Sequence, residues 1–158
     1  YAFAGHFAPE QMDMAFKIYR EHFEPSKYLD QPYVLACVNG IAAETSQEAH
    51  FLSSTLFQAF INIIRNDRKP FPPPVVDMDA IWSAMEKSMV LQKLKFSFIG
   101  NQDEIAQQIK NFQEKYQVDE LMINSHIYDH QKRLQSYEII RSATDSLSKA
   151  EQTIHNNC

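Results

Sequence analysis

An α/β fold with parallel strands is the architecture this sequence predicts, and three observations predict it. Apolar runs at Tyr1–Ala4, Tyr33–Val38 and Leu121–Ile123 are nearly uninterrupted, as in strands covered on both faces. After each run the apolar residues change to helical spacing. Turn and cap residues separate the two patterns at Gly5–Pro9, Thr45–Glu48 and Asn124–His130. Strand, loop and helix in repetition make βα units, whose chemistry sits where the strands end.

Tyr1-Ala2-Phe3-Ala4 reads as a strand, or its last residues, ending at Gly5-His6-Phe7. Pro9 suits a first helical position, and Glu10 and Asp13 put negative charge where the helix dipole favours it. Met12, Phe16, Tyr19 and Phe23 then share one helix face, which Pro25 ends. A polar connection, Glu24–Pro32, leads to the strand at Tyr33–Val38, expected to run on through Ile41–Ala43. Asn39-Gly40 within it predicts a bulge or a close backbone approach. Thr45-Ser46-Gln47-Glu48 matches a capping box. It opens a helix from near Ser46 to near Arg65, with Leu52, Leu56 and Phe60 on the apolar side.

Residues 66–78 form a proline-rich inserted connection. Each proline of Lys69-Pro70-Phe71-Pro72-Pro73-Pro74 removes a donor and crowds the preceding turn. Long connections of this kind are usually functional or cover an opening. Asp77–Met89 is expected to be helical, with Met78, Ile81, Trp82, Met85 and Met89 on one side. Phe96–Gly100 is a short apolar run. Asn101 and Glu104 mark a further helix start, leading through Ile105, Ile109 and Phe112 to Tyr116. The last unit joins the strand Leu121–Ile123 to a helix bearing Leu134, Tyr137 and Ile140, capped by Asp129.

Three units with an elaborated connection before the third do not close a barrel, and a (β/α)8 barrel takes roughly 250 residues. The 158 residues are therefore read as a single partial domain, residues 1–158. That domain is the C-terminal part of a TIM-type (β/α)8 barrel. A stand-alone three-stranded α/β domain is the alternative. The start at Tyr1, without Met and directly in an apolar run, reads as the middle of a protein.

Composition narrows the function. A net charge of −5 argues against nucleic acid, and no apolar run approaches the ~20 residues of a membrane span. Cys37 and Cys158 are too few and too far apart for a disulfide framework, which points to a reducing, cytoplasmic setting. No GxSxG elbow, P-loop, CxxC pair or dinucleotide glycine fingerprint is present. Three glycines leave little from which to build a backbone phosphate cradle.

The segments YAFAGHFAPE, YREHFEPS, PYVLACVNGIAAETSQEA, FSFIGNQDEI and DELMINSHIYDHQKRLQSYE, in this order and spacing, resemble bacterial luciferase-like flavin monooxygenases. The resemblance covers most of the chain, from Tyr1 to near Ile140, and matches the family's sixth, seventh and eighth βα units. It implies a barrel binding reduced FMN at the C-terminal strand ends. It further implies that dioxygen is activated and one oxygen atom inserted into a small organic substrate. A separate flavin reductase would supply the reduced flavin, and a homo-oligomer is the expected assembly. Most phosphate-binding residues of the family lie in an N-terminal part that this chain lacks. A non-catalytic partner or structural subunit of the same fold is the alternative.

Five residues are candidates for a cofactor or substrate pocket: His6, Trp82, Asn124, His126 and Tyr128. His6 ends the first strand, near the place of a tryptophan that lies beside the flavin in the light-emitting enzymes. It is read either as a hydrogen-bond partner of the flavin or as a capping or packing histidine. His126 and Tyr128 follow the last strand, where the fold points a loop at the site, with Asn124 orienting them or satisfying backbone. His126 and His130 are four apart, a metal-pair spacing on a helix. His126 falls in the turn, however, and no zinc-protease Glu accompanies the pair, so no metal is assigned. A metal-dependent hydrolase using His6, His126 and His130 stays as a third reading. Trp82 comes near a second pocket tryptophan of the light-emitting enzymes, with a core position as its alternative.

Overall fold

In the computed structural model, residues 1–155 are described, with side chains through Leu147; Cys158 lies outside the described residues. The strands are β1 (Ala2–Phe3), β2 (Leu35–Ala42), β3 (Ser97–Gly100) and β4 (Glu120–Asn124). The helices are α1 (Met12–Glu21), α2 (Ser46–Ile64), α3 (Ala84–Lys93), α4 (Gln102–Tyr116) and α5 (His130–His155). Among the described residues no helix is long and apolar enough to cross a membrane.

β2 organises the sheet, pairing in parallel with β1, β3 and β4. A strand has two edges, so two of its partners must share one. The amides of Leu35, Asn39 and Ala43 donate to the carbonyls of Tyr1, Phe96 and Gly100 at 2.8, 3.3 and 3.2 Å. Even spacing along a strand returns to the same edge. β1 and β3 therefore lie end to end along one edge of β2. β4 takes the other edge, where Glu120 N donates to Val34 O at 3.2 Å. The sheet is three strands wide although four strands build it.

One face of this sheet is covered. Ala36, Val38, Phe98, Leu121 and Ile123 pack on α1, α4 and α5 through Phe16, Ile105, Ile109, Phe112 and Ile140. A second cluster joins the end of β2 to α2 and α3 through Ile41, Leu52, Leu56 and Val90. On the opposite face that second cluster covers only the C-terminal end of β2, where Ile41 and Ile99 lie; among the described residues the rest of that face carries no such layer. There Cys37 stands beside Met122, which is 55% exposed. The expectation of strands covered on both faces thus holds for β2 from Val38 to Ala42 but fails for β1 and β4. β4 is an edge strand, and its second face is the one that would look into a barrel.

The register advances one residue at a time from Leu35 to Asn39 against β4 and from Asn39 to Ala42 against β3, so Asn39-Gly40 makes no bulge. The close approach is real: a Cβ on Gly40 would collide with Ile123 Cγ2 and stand 3.0 Å from Ile140 Cδ1.

Helix starts follow cap chemistry. Asn101 and Glu104 form a complete capping box. Thr45 makes half of one: its Oγ1 accepts from Glu48 N at 3.2 Å, while the Glu48 carboxylate reaches Lys132 of α5 at 2.6 Å. The helix expected over 77–89 begins only at Ala84, because Ser83 and Glu86 form a full capping box there. Met78, Ile81 and Trp82 lie before it in turns, Met85 and Met89 are exposed, and the buried position is Val90. A satisfied cap outweighs apolar spacing here.

Arg65, at the end of α2, grips Glu86 in two hydrogen bonds of 2.6 and 3.0 Å and donates to Ile81 O at 3.0 Å. Hydrogen bonds from Arg65, then from Ser83, hold the Glu86 carboxyl at about 2. A depressed carboxyl stabilises the fold fully above its ordinary value of 4.5 and loses that contribution as pH falls through about 2. The melting-temperature gap between wild type and Glu86→Gln should therefore shrink steadily as pH drops from 6 towards 2. A gap independent of pH would show that the clamp adds nothing.

Candidate functional site

Because every pairing is parallel, all the strands end on the same side, and the polar side chains there converge. Beyond β1, His6 N donates to Cys37 O at 2.8 Å, which docks the histidine against β2. Asn39 of β2 is in register with Asn124, the last residue of β4. Asn39 is 1% exposed, and its Nδ2 donates to Ser97 Oγ at 3.3 Å. Asn124 Nδ2 meets His126 Nε2 at 3.2 Å. Phe71, from the proline-rich connection, stacks on the His126 imidazole at 5.3 Å and 16°.

Three atoms of this set are buried without a hydrogen-bond partner: His6 Nδ1, Asn39 Oδ1 and His126 Nδ1. Among the described residues no other buried side-chain nitrogen or oxygen is left so. An unmet buried polar group costs about 1–3 kcal/mol and is rare in native folds. Their confinement to one place, at the strand ends, makes this cluster the candidate site. Burial first, then the charges of His6 and Arg133, pushes the His126 imidazole below its ordinary value. The surroundings thus favour the neutral ring, in which one nitrogen donates and the other accepts.

The loop carrying His126 is fixed from beneath. Ser136 is fully buried on α5, and its Oγ accepts from Ala42 N at 2.8 Å and meets Ser125 Oγ at 3.4 Å. Ser125 N donates to Tyr137 Oη at 3.0 Å, and Asp129 caps α5 by accepting from Lys132 N at 2.8 Å, as its position predicts. The end of β2, the end of β4 and the first turns of α5 thus share one network.

His6, Asn124 and His126 are brought together; two candidates are not. Tyr128 is 56% exposed and makes none of these contacts. Trp82 joins the second apolar cluster, against Phe57 at 5.8 Å, and its Nε1 donates to Asp79 at 2.6 Å. His130 is exposed and faces Arg133 at 2.9 Å. Among the described residues no group of three or more His, Cys, Asp or Glu side chains could hold a metal. Asn39 and Phe71 were missed as site residues. An amide inside a buried apolar run was a legible signal for the first. Nothing in a proline cluster says where its one phenyl ring will land. A hollow of about 730 Å³, between α2 and Val75–Val76, contains none of the candidate residues.

The comparisons with known proteins agree with this architecture. The uncharacterized protein YddN of Bacillus subtilis (strain 168) is 40% identical over 149 residues, 94% of this chain and 44% of that protein. A protein of Escherichia coli (strain K12) named luciferase-like monooxygenase is 37% identical over 147 residues, 93% of this chain and 44% of its own. The chain is a relative of the luciferase-like monooxygenases. No family model matches it. The crystal structure of apo-MsnO8 shares the fold, with a TM-score of 0.75 and 22% identity over 92% of this chain and 44% of that one. The chain spans under half the length of the curated relatives it matches. Its α/β fold with a small open parallel sheet is that of part of a barrel.

Proposed function

We propose that this chain is the C-terminal part of a luciferase-like flavin-dependent monooxygenase that oxidises a small organic substrate with reduced FMN and dioxygen. The observation that carries the reading is the set of three unpartnered buried atoms at the strand ends, on a chain related to luciferase-like proteins. The residues suit the ring of such a cofactor rather than its phosphate. Imidazole and amide atoms await partners, whereas Gly40 is filled by Ile123 and Ile140 and cradles nothing. Reduced FMN, when bound, supplies the electrons that activate dioxygen. His6, Asn39 and His126 would hydrogen-bond the bound ring or substrate, and Phe71 would wall the site from water. A flavin reductase, a homo-oligomeric assembly and a cytoplasmic location belong to the same proposal.

In the full-length protein, His126→Ala should lower FMN-dependent oxygen consumption roughly 10- to 100-fold, the loss of about 1.4–2.8 kcal/mol of positioning and hydrogen bonding. A full-length protein that neither binds reduced FMN nor takes up oxygen with it sinks the reading.

One observation favours a second reading, a non-catalytic partner subunit of the same fold. The uncovered sheet face around Cys37 and Met122 would bury well against another polypeptide. A chain that runs as a clean monomer on size exclusion would dispose of it.

A further inference from the structure

Phe71 is held over His126 by more than chance packing. Pro70 and Pro72 flank it, so the neighbouring φ angles are fixed, and the residue before a proline is itself confined to extended backbone. Ordering such a segment costs little entropy. Three side chains of α2 then tie it down. Thr55 Oγ1 donates to Pro72 O at 3.0 Å, Gln58 Nε2 donates to Pro73 O at 3.0 Å, and Ser54 Oγ accepts from Val75 N at 2.8 Å. Ser54 and Thr55 are buried polar residues on a helix, and the connection is what they serve.

We propose that residues 70–75 are a fixed wall of the site and that Phe71 is a positioning residue, clamping the His126 imidazole with Asn124 so that Nδ1–H faces the ligand. The inference rests on reading this cluster as a ligand site, not on the ligand being a flavin. The Asn124 amide nitrogen donates to Nε2, so Nε2 is the bare nitrogen of the neutral ring and Nδ1 carries the proton. The free Nδ1–H then demands an acceptor, the chemistry of a carbonyl oxygen. The charged or titratable groups acting on His126 are His6, beyond β1, and Arg133, on α5; the wall contributes the uncharged Phe71. Removing that ring opens the imidazole to water and to rotation.

The test uses the full-length protein labelled with ¹⁵N at histidine and reads the long-range proton–nitrogen correlations of His126 across pH. The wild-type ring is expected as the Nδ1–H form, titrating below an ordinary histidine. In Phe71→Ala the titration midpoint should rise towards the ordinary imidazole value and the Nε2–H form should gain population. Phe71→Trp should restore both. Thr55→Val combined with Gln58→Leu removes two ties but keeps the ring, and should move His126 in the same direction as Phe71→Ala. If Phe71→Ala does not fold, that double variant decides the matter. Unchanged tautomer and titration in a folded variant overturn the proposal, as does a wild-type ring in the Nε2–H form. No arm uses flavin, so a full-length protein that fails to bind FMN leaves this result standing, and the reverse also holds.

Discussion

Phe16→Ala should lower the unfolding free energy by about 3–5 kcal/mol, the usual cost of deleting a buried phenyl group. Phe16 is 2% exposed on α1, and its ring meets Phe3 edge-on at 6.0 Å and Tyr1 at 6.5 Å. Arg20 lies over the same ring at 5.6 Å. β1 pairs through two residues only, so its place depends on these side chains more than on its backbone ladder. The loss should therefore be felt at the site, where His6 hangs from the end of β1. Urea unfolding measures the first effect, and the His6 ring resonances the second. Phe16→Leu, which keeps most of the volume, should cost under about 1.5 kcal/mol. An alanine variant within 1 kcal/mol of wild type would mean that the cluster closes over the gap, and the argument about β1 would fall.

Gly40→Val should cost about 3 kcal/mol, the upper end for overpacking a filled core. The added Cβ would collide with Ile123 Cγ2, which is part of a β-branched side chain and cannot swing aside. Ile140 Cδ1, at 3.0 Å from the same position, is the end of a longer chain and can move. Ile123→Ala in the Gly40→Val background should thus be far milder than in wild type, where an isoleucine truncation costs about 2–5 kcal/mol. A double-mutant cycle reads the coupling directly. Additive effects would show that the two side chains do not compete for the same space.

Much of this fold was legible because it depends on local signals. The capping pair Asn101 and Glu104, the stop at Pro25 and the long apolar run of β2 each state their own structure. The Asp129 cap was legible in the same way. What was not legible depends on partners distant in sequence. Leu121–Ile123 looks like any buried strand, yet only the layers packed around it show that Met122 is left 55% exposed. The apolar spacing over 77–89 was genuine, but the hydroxyl and carboxylate of Ser83 and Glu86 put the helix start six residues later than Met78. At the site, His6 and His126 could be named from their places after strands. Asn39 was noticed for its backbone, and its unmet carbonyl oxygen follows only from knowing that Ser97 takes the amide nitrogen alone. Phe71 needed the wall to be folded before its ring had an address.

The shared edge of β2 also sets a timetable. Its neighbours close over long stretches of chain: Tyr1 bonds Tyr33 across 32 residues, Asn39 bonds Ser97 across 58, and Val34 bonds Asp119 across 85. Pairings so distant make folding slow, since loop-closure entropy is lost before any contact repays it. During synthesis the β2 segment emerges long before β4, and its second edge waits unpaired while more than eighty residues are added. The central strand of the sheet thus keeps one edge open until β4 is made. Its capture by β4 is the same event that brings Asn124 and His126 to Asn39, so the site can form only when the sheet does.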